Sequence, residues 1–413
     1  MTVSQLLDRV SHRLGLADYG DARFAEGLEI LIKSFDLEND ISVFGHILIK
    51  TTLQDYLRSR LLIHQTLRLH PEISQESIHR PLFIVGMNRT GTTLLHNLLA
   101  LAADTRAPKA WEIMKPAPLC APESPEEKRR MRRAARSLWL LQRAAPGLRA
   151  AHPIKASDYE ECYPLVNRTF ASPAFSLHFG LPRYTEWLKS LDLEAERWVY
   201  REYRAQLQIL QTHHPKKRWI LKSAVHLYFL RALLEEFPHA CFVQTHRDPL
   251  DMVPSLCRLI ACFRRLVYSR FSEGALGREI LGKIRDALER GRSARAGAGD
   301  DRTLDIEFDD LVADPVGQVR RIHDHFDLGW DNGYEQRMRS WMARSSNGRR
   351  PGHRSSIAQF GLDEAMIRSS LERFLPHDDP SLRSKTDRAG SPGRRLECSS
   401  SDNGLKSAAN RWR

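Results

Sequence analysis

Hydrophobic positions along the chain fall into two regimes. Over residues 1–80 they recur at helical spacing: Leu6, Leu7, Val10 and Leu14, then Phe24, Leu28, Leu31 and Ile32, then Ile47, Leu53, Leu57 and Leu61. This predicts a helical lead-in with breaks at Gly20 and around Asn39–Asp40. From residue 81 short unbroken apolar runs take over. Pro81-Leu-Phe-Ile-Val-Gly86 places four apolar residues before a glycine, which suits a strand buried on both faces of a parallel sheet. A helix is predicted from Thr92 to Ala102 and another over Ala195–Thr212. Further strands are predicted at Arg218–Leu221, Ala240–Thr245 and 303–308, with helices over Val225–Phe237 and from the last strand through Phe326. Strand, helix and strand with short joins predict an α/β fold: three layers, with a central, mostly parallel sheet flanked by helices. The reading divides the chain into a lead-in (1–80), a main domain (81–376) and a tail (377–413). The tail, rich in Ser, Asp, Arg, Gly and Lys, is expected to be disordered.

Composition narrows the class. The 413 residues are 42% hydrophobic and 28% charged, values of a globular chain, with a formal net charge of +12. Such an excess serves nucleic acid, an anionic membrane surface or small polyanionic ligands, or is a solvated surface plus a basic tail. The densest run is Lys128-Arg-Arg-Met-Arg-Arg-Ala-Ala-Arg136. Six cysteines without a C-x-x-C pair argue against a zinc site or a disulfide scaffold. The N-terminus lacks the apolar core of a signal peptide, and no stretch approaches 18 uninterrupted apolar residues. A cytoplasmic protein is expected.

The segment Gly86-Met-Asn-Arg-Thr-Gly-Thr-Thr93 lies between a predicted strand and a predicted helix. Backbone amides at a helix N-terminus converge there on an anion, with the helix dipole behind them. Gly86 and Gly91 permit a tight turn and close approach, Asn88 and Thr90 lie between them, Thr92 and Thr93 add hydroxyls, and Arg89 adds a permanent charge. A Walker A loop would carry Lys-Ser/Thr where Thr92-Thr93 stands, and no magnesium-binding aspartate follows a later strand. A second candidate anion site is Arg247, just after the strand 240–245, with Ser255 two helical turns on.

The loop GMNRTGTTLL resembles the 5′-phosphosulfate loop of PAPS-dependent sulfotransferases, PAPS being 3′-phosphoadenosine 5′-phosphosulfate. The similarity is to the bacterial branch whose loop reads P-R-[ST]-G-T-T, with Asn88 where proline is usual. RWILKSAVHL, LLEEFPHACFVQTHRDP, DLVADPVGQVRRIHDHF and SSIAQFGLDEAMI extend the resemblance over residues 20–375. It implies a P-loop-like fold and PAPS as sulfuryl donor. It also implies that Gly86, Asn88, Arg89, Thr90, Gly91, Thr92 and Thr93 bind the phosphosulfate, and that Arg247 and Ser255 bind the 3′-phosphate. Asn347–Arg354 resembles the late loop that closes over that phosphate, an ordinary solvated loop being an equal reading.

Sulfuryl transfer, like phosphoryl transfer, is an in-line displacement in which charge builds on the leaving phosphate. Arg89 and Lys222, the latter given a place beside the transferred group by the resemblance, are the expected cations of a metal-free reaction. Glu112 is the expected base, where the branch carries a glutamate; Glu160, Glu161 and His226 are its rivals. Phe170, Phe175, His178, Phe179, Tyr184 and Trp187 form either an acceptor pocket or core. A small-molecule, lipid or sugar acceptor is expected. A P-loop kinase or NTPase and a basic nucleic-acid or membrane-surface binder are the alternatives, although no stacking-aromatic RNA motif or helix-turn-helix signal appears.

Overall fold

The computed structural model describes residues 2–37, 40–214, 217–346 and 356–374. The tail from 377 and the loop Asn347–Arg354 lie outside the described residues.

The helical lead-in forms α1 (Val3–Leu14), α2 (Arg23–Asp36) and α3 (Val43–Leu69). Leu6, Val10, Phe24, Leu28, Leu31, Ile32, Leu53, Leu57 and Leu61 are buried, as their spacing predicts, and join the same hydrophobic cluster as the central strands. Ile47 departs from the pattern and stands 56% exposed. A buried cation fastens the lead-in to the rest: Arg60 of α3 donates to Glu202 at 3.0 Å and to the carbonyl of Arg168 at 3.1 Å. Burial of that guanidinium is tolerable because both a charge and carbonyl acceptors meet it.

Five parallel strands, β1 (Leu82–Ile84), β2 (Thr105–Arg106), β3 (Arg218–Lys222), β4 (Cys241–His246) and β5 (Thr303–Glu307), lie in the order β2-β3-β1-β4-β5. Side chains alternate between faces. Leu82 and Ile84 enter one apolar cluster with Ile220, Val243 and Ile306, while Phe83 and Val85 enter the other with Leu221 and Phe242. Both faces are covered, so β1 is apolar at every position. Phe83 stacks on Phe242 across the β1–β4 pair at 5.5 Å between ring centroids; replacing such a buried ring with alanine costs about 3–5 kcal/mol.

β2 is a strand of two residues, too short to carry a periodicity of its own. Two expectations change in detail. The helix expected over 225–237 is two, Val225–Tyr228 and Leu230–Glu236, separated at Phe229. The helix after β5 is also two, because Pro315 starts a new one whose first turn Asp314 caps by accepting from the Gly317 amide. Chain direction reverses across β1: it runs outward to β2, returns through β3, and continues on the far side with β4. In open parallel sheets the crevice at the carboxyl ends beside such a reversal takes ligands.

Candidate active site

The loop after β1 is shaped by packing and by two left-handed residues. An added Cβ at Gly86 would sit 1.9 Å from the Thr245 hydroxyl and 2.8 Å from its carbonyl oxygen, so only glycine lets the end of β1 lie against β4. Arg89 (φ 75°) and Gly91 (φ 86°) are both left-handed, which curls the intervening amides inward as in an anion nest. Thr90 holds the curl. Its hydroxyl donates to the Met87 carbonyl at 2.6 Å and pairs with the Thr245 hydroxyl at 2.6 Å. Thr90 therefore acts through its backbone, its side chain being committed inward. Helix α4 (Thr92–Leu99) then starts without a side-chain cap, leaving its first amides to a ligand or solvent.

Lys222 ends β3 level with Ile84 of β1. It is 1% exposed, and its Nζ donates to Thr93 Oγ1 and to Glu161 Oε1, both at 3.2 Å. A strap brings Glu161 there. Residues 158–160 lie against 108–110, through Ala110 N–H to the Asp158 carbonyl and Glu160 N–H to the Pro108 carbonyl, and Cys162 N–H then donates to the Lys222 carbonyl at 3.0 Å. The strap thus runs from the end of β2 to the end of β3 and delivers Glu161 between them. Asn88 of the loop donates to the same Glu161 oxygen at 3.1 Å. The polar residue standing where the resemblance expects proline thereby becomes a tie between loop and strap.

The residues of the second candidate anion site meet those of the first. Arg89 Nε donates to the Ser255 hydroxyl at 2.9 Å, and Arg247 donates to the Arg89 carbonyl at 3.1 Å. Arg247 also reaches Asp251 at 3.4 Å and lies over the Phe308 ring, 4.2 Å from its centroid. Its Nε is buried with no partner among the described residues, an opening that an anion would fill. Behind it His246 pairs with Asp305 at 2.6 Å, and Arg295 grips the same carboxylate with two bonds of 2.7 Å. Arg89, Lys222, Arg247 and Ser255 thus converge around the loop Gly86–Thr93.

The other base candidates lie elsewhere. Glu112, in α5 (Ala110–Met114), is buried and held by Arg106 at 2.5 Å and by the Lys109 amide at 2.8 Å. Neither Lys222 nor the loop is among its partners in the described residues. Glu160 pairs with His152 at 3.2 Å; burial alone would raise its pKa, but the His152 bond and nearby Lys222 outweigh it and bring it to about 2. His226 sits between the Tyr200 hydroxyl and Cys162 Sγ, and burial lowers its pKa to about 3. It is a neutral core residue. Glu161, flagged in sequence only by its acidic neighbours, reaches the site because of the backbone bond of Cys162.

A small cavity of about 60 Å³ opens beside the loop. Met87 and Asn88 line it on the loop side, Ala224 and Val225 beyond β3, and Leu177, Leu188 and Ile284 among its apolar walls. Lys283 lines it too, its pKa lowered to about 8, chiefly by burial. None of the six expected pocket aromatics lines this cavity. Phe170, Phe175 and Tyr184 are core instead: Phe170 and Phe175 stack on each other and meet Tyr56 edge-on, and Tyr184 meets Phe175 edge-on. Phe175 and Tyr184 share two helices with lining residues but do not themselves reach the cavity.

Three comparisons bear on this geometry. The model described as "Sulfotransferase family" matches residues 81–332. The omega-hydroxy-beta-dihydromenaquinone-9 sulfotransferase Stf3 of Mycobacterium bovis is 26% identical over 303 residues, 71% of this chain and 74% of the relative. The crystal structure of sulfotransferase STF1 from Mycobacterium tuberculosis H37Rv superposes with a TM-score of 0.80 at 29% identity, covering 91% of this chain and 98% of its own. That of STF9 from Mycobacterium avium gives 0.82 at 25% identity, covering 91% and 96%.

Proposed function

Since this chain belongs to the sulfotransferase family, we propose that it moves the sulfuryl group of PAPS, by in-line transfer, to a hydroxyl or amine of a largely apolar acceptor. The observation that carries this reading is the contact of Lys222 Nζ with both Thr93 of the loop and Glu161 of the strap. One buried cation there faces both the anion cradle and a carboxylate. PAPS supplies a sulfuryl group on a phosphate leaving group. The amides of Gly86–Thr93 and the α4 terminus hold the 5′ end, with Arg89; Arg247 and Ser255 hold the 3′-phosphate. The partnerless Nε of Arg247 fits that task.

Lys222 is the cation beside the bridging oxygen, where negative charge grows during transfer. The base assignment moves from Glu112 to Glu161. Glu112 is neutralised by Arg106, whereas Glu161 shares Asn88 with the cavity wall and so stands where an acceptor hydroxyl would arrive. Its carboxylate takes the acceptor proton, with the Lys222 ammonium 3.2 Å away. The apolar walls favour an acceptor with a hydrocarbon body, and the relative named for a menaquinone-9 derivative supports a lipid-like one.

The test is radiolabelled sulfuryl transfer from PAPS across lipid alcohols, phenols, amines and sugars, paired with thermal shift. Stabilisation by adenosine 3′,5′-bisphosphate and transfer to an apolar alcohol are expected. Stabilisation by ATP–magnesium alone, with no transfer to any acceptor, would return the protein to the kinase or NTPase reading.

A further inference from the structure

The basic run singled out in the sequence takes no part in the active site. It lies in a 20-residue helix, Pro125–Ala144, which buries Arg130 and packs Ala134 and Leu138 with Trp111 and Ala156. Lys128, Arg129, Arg132, Arg133, Arg136 and Arg143 are all exposed. Trp139 and Leu140, 58% and 52% exposed, stand among them. At 3.6 residues per turn these eight positions fall within an arc of about 140° and span about 22 Å of helix. Glu126 binds Arg129 and Arg130, yet Lys128, Arg132, Arg133 and Arg136 meet no carboxylate among the described residues. Arg143 lies 5.7 Å from the centre of the Trp139 ring.

A fold gains nothing from a solvent-facing tryptophan and leucine ringed by like charges: the charges repel and the apolar pair stays wet. An anionic lipid surface reverses both costs, since phosphate headgroups neutralise the arginines while indole and isobutyl groups enter the interfacial layer. A nucleic-acid backbone would match the charge but leave Leu140 without a partner. We propose that the outward face of helix Pro125–Ala144 docks the protein on an anionic membrane surface, with Trp139 and Leu140 as the inserted residues.

The chain that follows ties this face to the active site. A short helix, Pro146–Ala151, ends beside His152, which pairs with Glu160, the neighbour of Glu161. Docking would therefore set the site close to the bilayer without contributing a group to it.

The experiment is co-sedimentation of the full chain with vesicles of phosphatidylcholine alone and with 30% phosphatidylglycerol, at 50 and 300 mM salt. Binding to the anionic vesicles at low salt, at least tenfold stronger than to the neutral ones and weakened by salt, is expected. Arg132→Glu/Arg133→Glu/Arg136→Glu and, separately, Trp139→Ser/Leu140→Ser should each reduce it about tenfold. Both should keep wild-type affinity for adenosine 3′,5′-bisphosphate, which shows that they fold. Equal binding to neutral vesicles, no vesicle binding by the wild type, or undiminished binding by both variants would overturn the proposal. So would tight, salt-sensitive binding of duplex DNA that outcompetes the vesicles. The bisphosphate measurement is independent of docking, so a failure of the sulfotransferase reading would be recognised separately.

Discussion

Glu161→Gln separates two assignments that sequence alone leaves in competition. The substitution keeps the shape and one carbonyl acceptor but removes the charge, so Lys222 Nζ retains Thr93 Oγ1 and an amide oxygen. Losing a buried partner outright costs about 3–5 kcal/mol; with an acceptor kept and Glu161 14% exposed, a loss of about 1–2 kcal/mol is expected. That is small beside the 5–15 kcal/mol that typically holds a domain, so the variant stays folded at 25 °C. Removing a general base lowers turnover about 10²- to 10³-fold, roughly 3–4 kcal/mol of barrier at 1.36 kcal/mol per decade. The two magnitudes differ enough for a single-turnover assay with saturating PAPS to read chemistry rather than unfolding. Titration of adenosine 3′,5′-bisphosphate should give wild-type affinity within about threefold, since a carboxylate next to the cradle does not bind the nucleotide. Glu112→Gln should keep near-normal turnover in the same assay and lose stability through its broken pair with Arg106. The reasoning fails if Glu161→Gln turns over within threefold of wild type while Glu112→Gln loses two decades.

Three further outcomes follow from the geometry. Arg247→Ala should weaken adenosine 3′,5′-bisphosphate about 10- to 100-fold, the worth of a charge-assisted hydrogen bond of roughly 1.5–3 kcal/mol. Its exposed partner Asp251 contributes little, so an unchanged dissociation constant by calorimetry would remove Arg247 from the site. Gly86→Ala would drive a methyl into Thr245, forcing β1 and β4 apart; a loss of about 1–3 kcal/mol together with lost nucleotide affinity is expected, and a fully stable, nucleotide-binding variant by denaturant titration would contradict the packing. Acid should destabilise the fold. Burial holds His96 and His226 near 3 and His178 near 4, below the ordinary 6.5, so the unfolded chain binds more protons and stability falls as pH drops from 6.5 towards 4. Each histidine contributes on the order of 1.4 kcal/mol per pH unit in that window. Guanidinium midpoints that stay flat between pH 7 and 5 would show these rings to be hydrated.

How much was legible depended on whether a signal was local. Leu82–Ile84 declared a strand covered on both faces because every position is apolar, and Gly86 and Gly91 declared a turn before a helix. The helical spacing of α1–α3 named its own buried face. The resemblance carried by GMNRTGTTLL named the family. These are properties of contiguous residues, whose propensity and period are set by chain geometry. Glu161 could not be chosen over Glu112 from sequence, because both are acidic residues near apolar runs. The choice comes from Cys162 N–H bonding the Lys222 carbonyl, 60 residues away, and from Arg106 taking up Glu112. Likewise Phe170, Phe175 and Tyr184 read equally as pocket or core; which face of a helix meets a cavity is decided by the element packed across from it. Sequence alone determined the sheet class and the family. The partner of each charge and the walls of the cavity were left to the tertiary structure, since burial and pairing are relations between segments that no segment holds by itself.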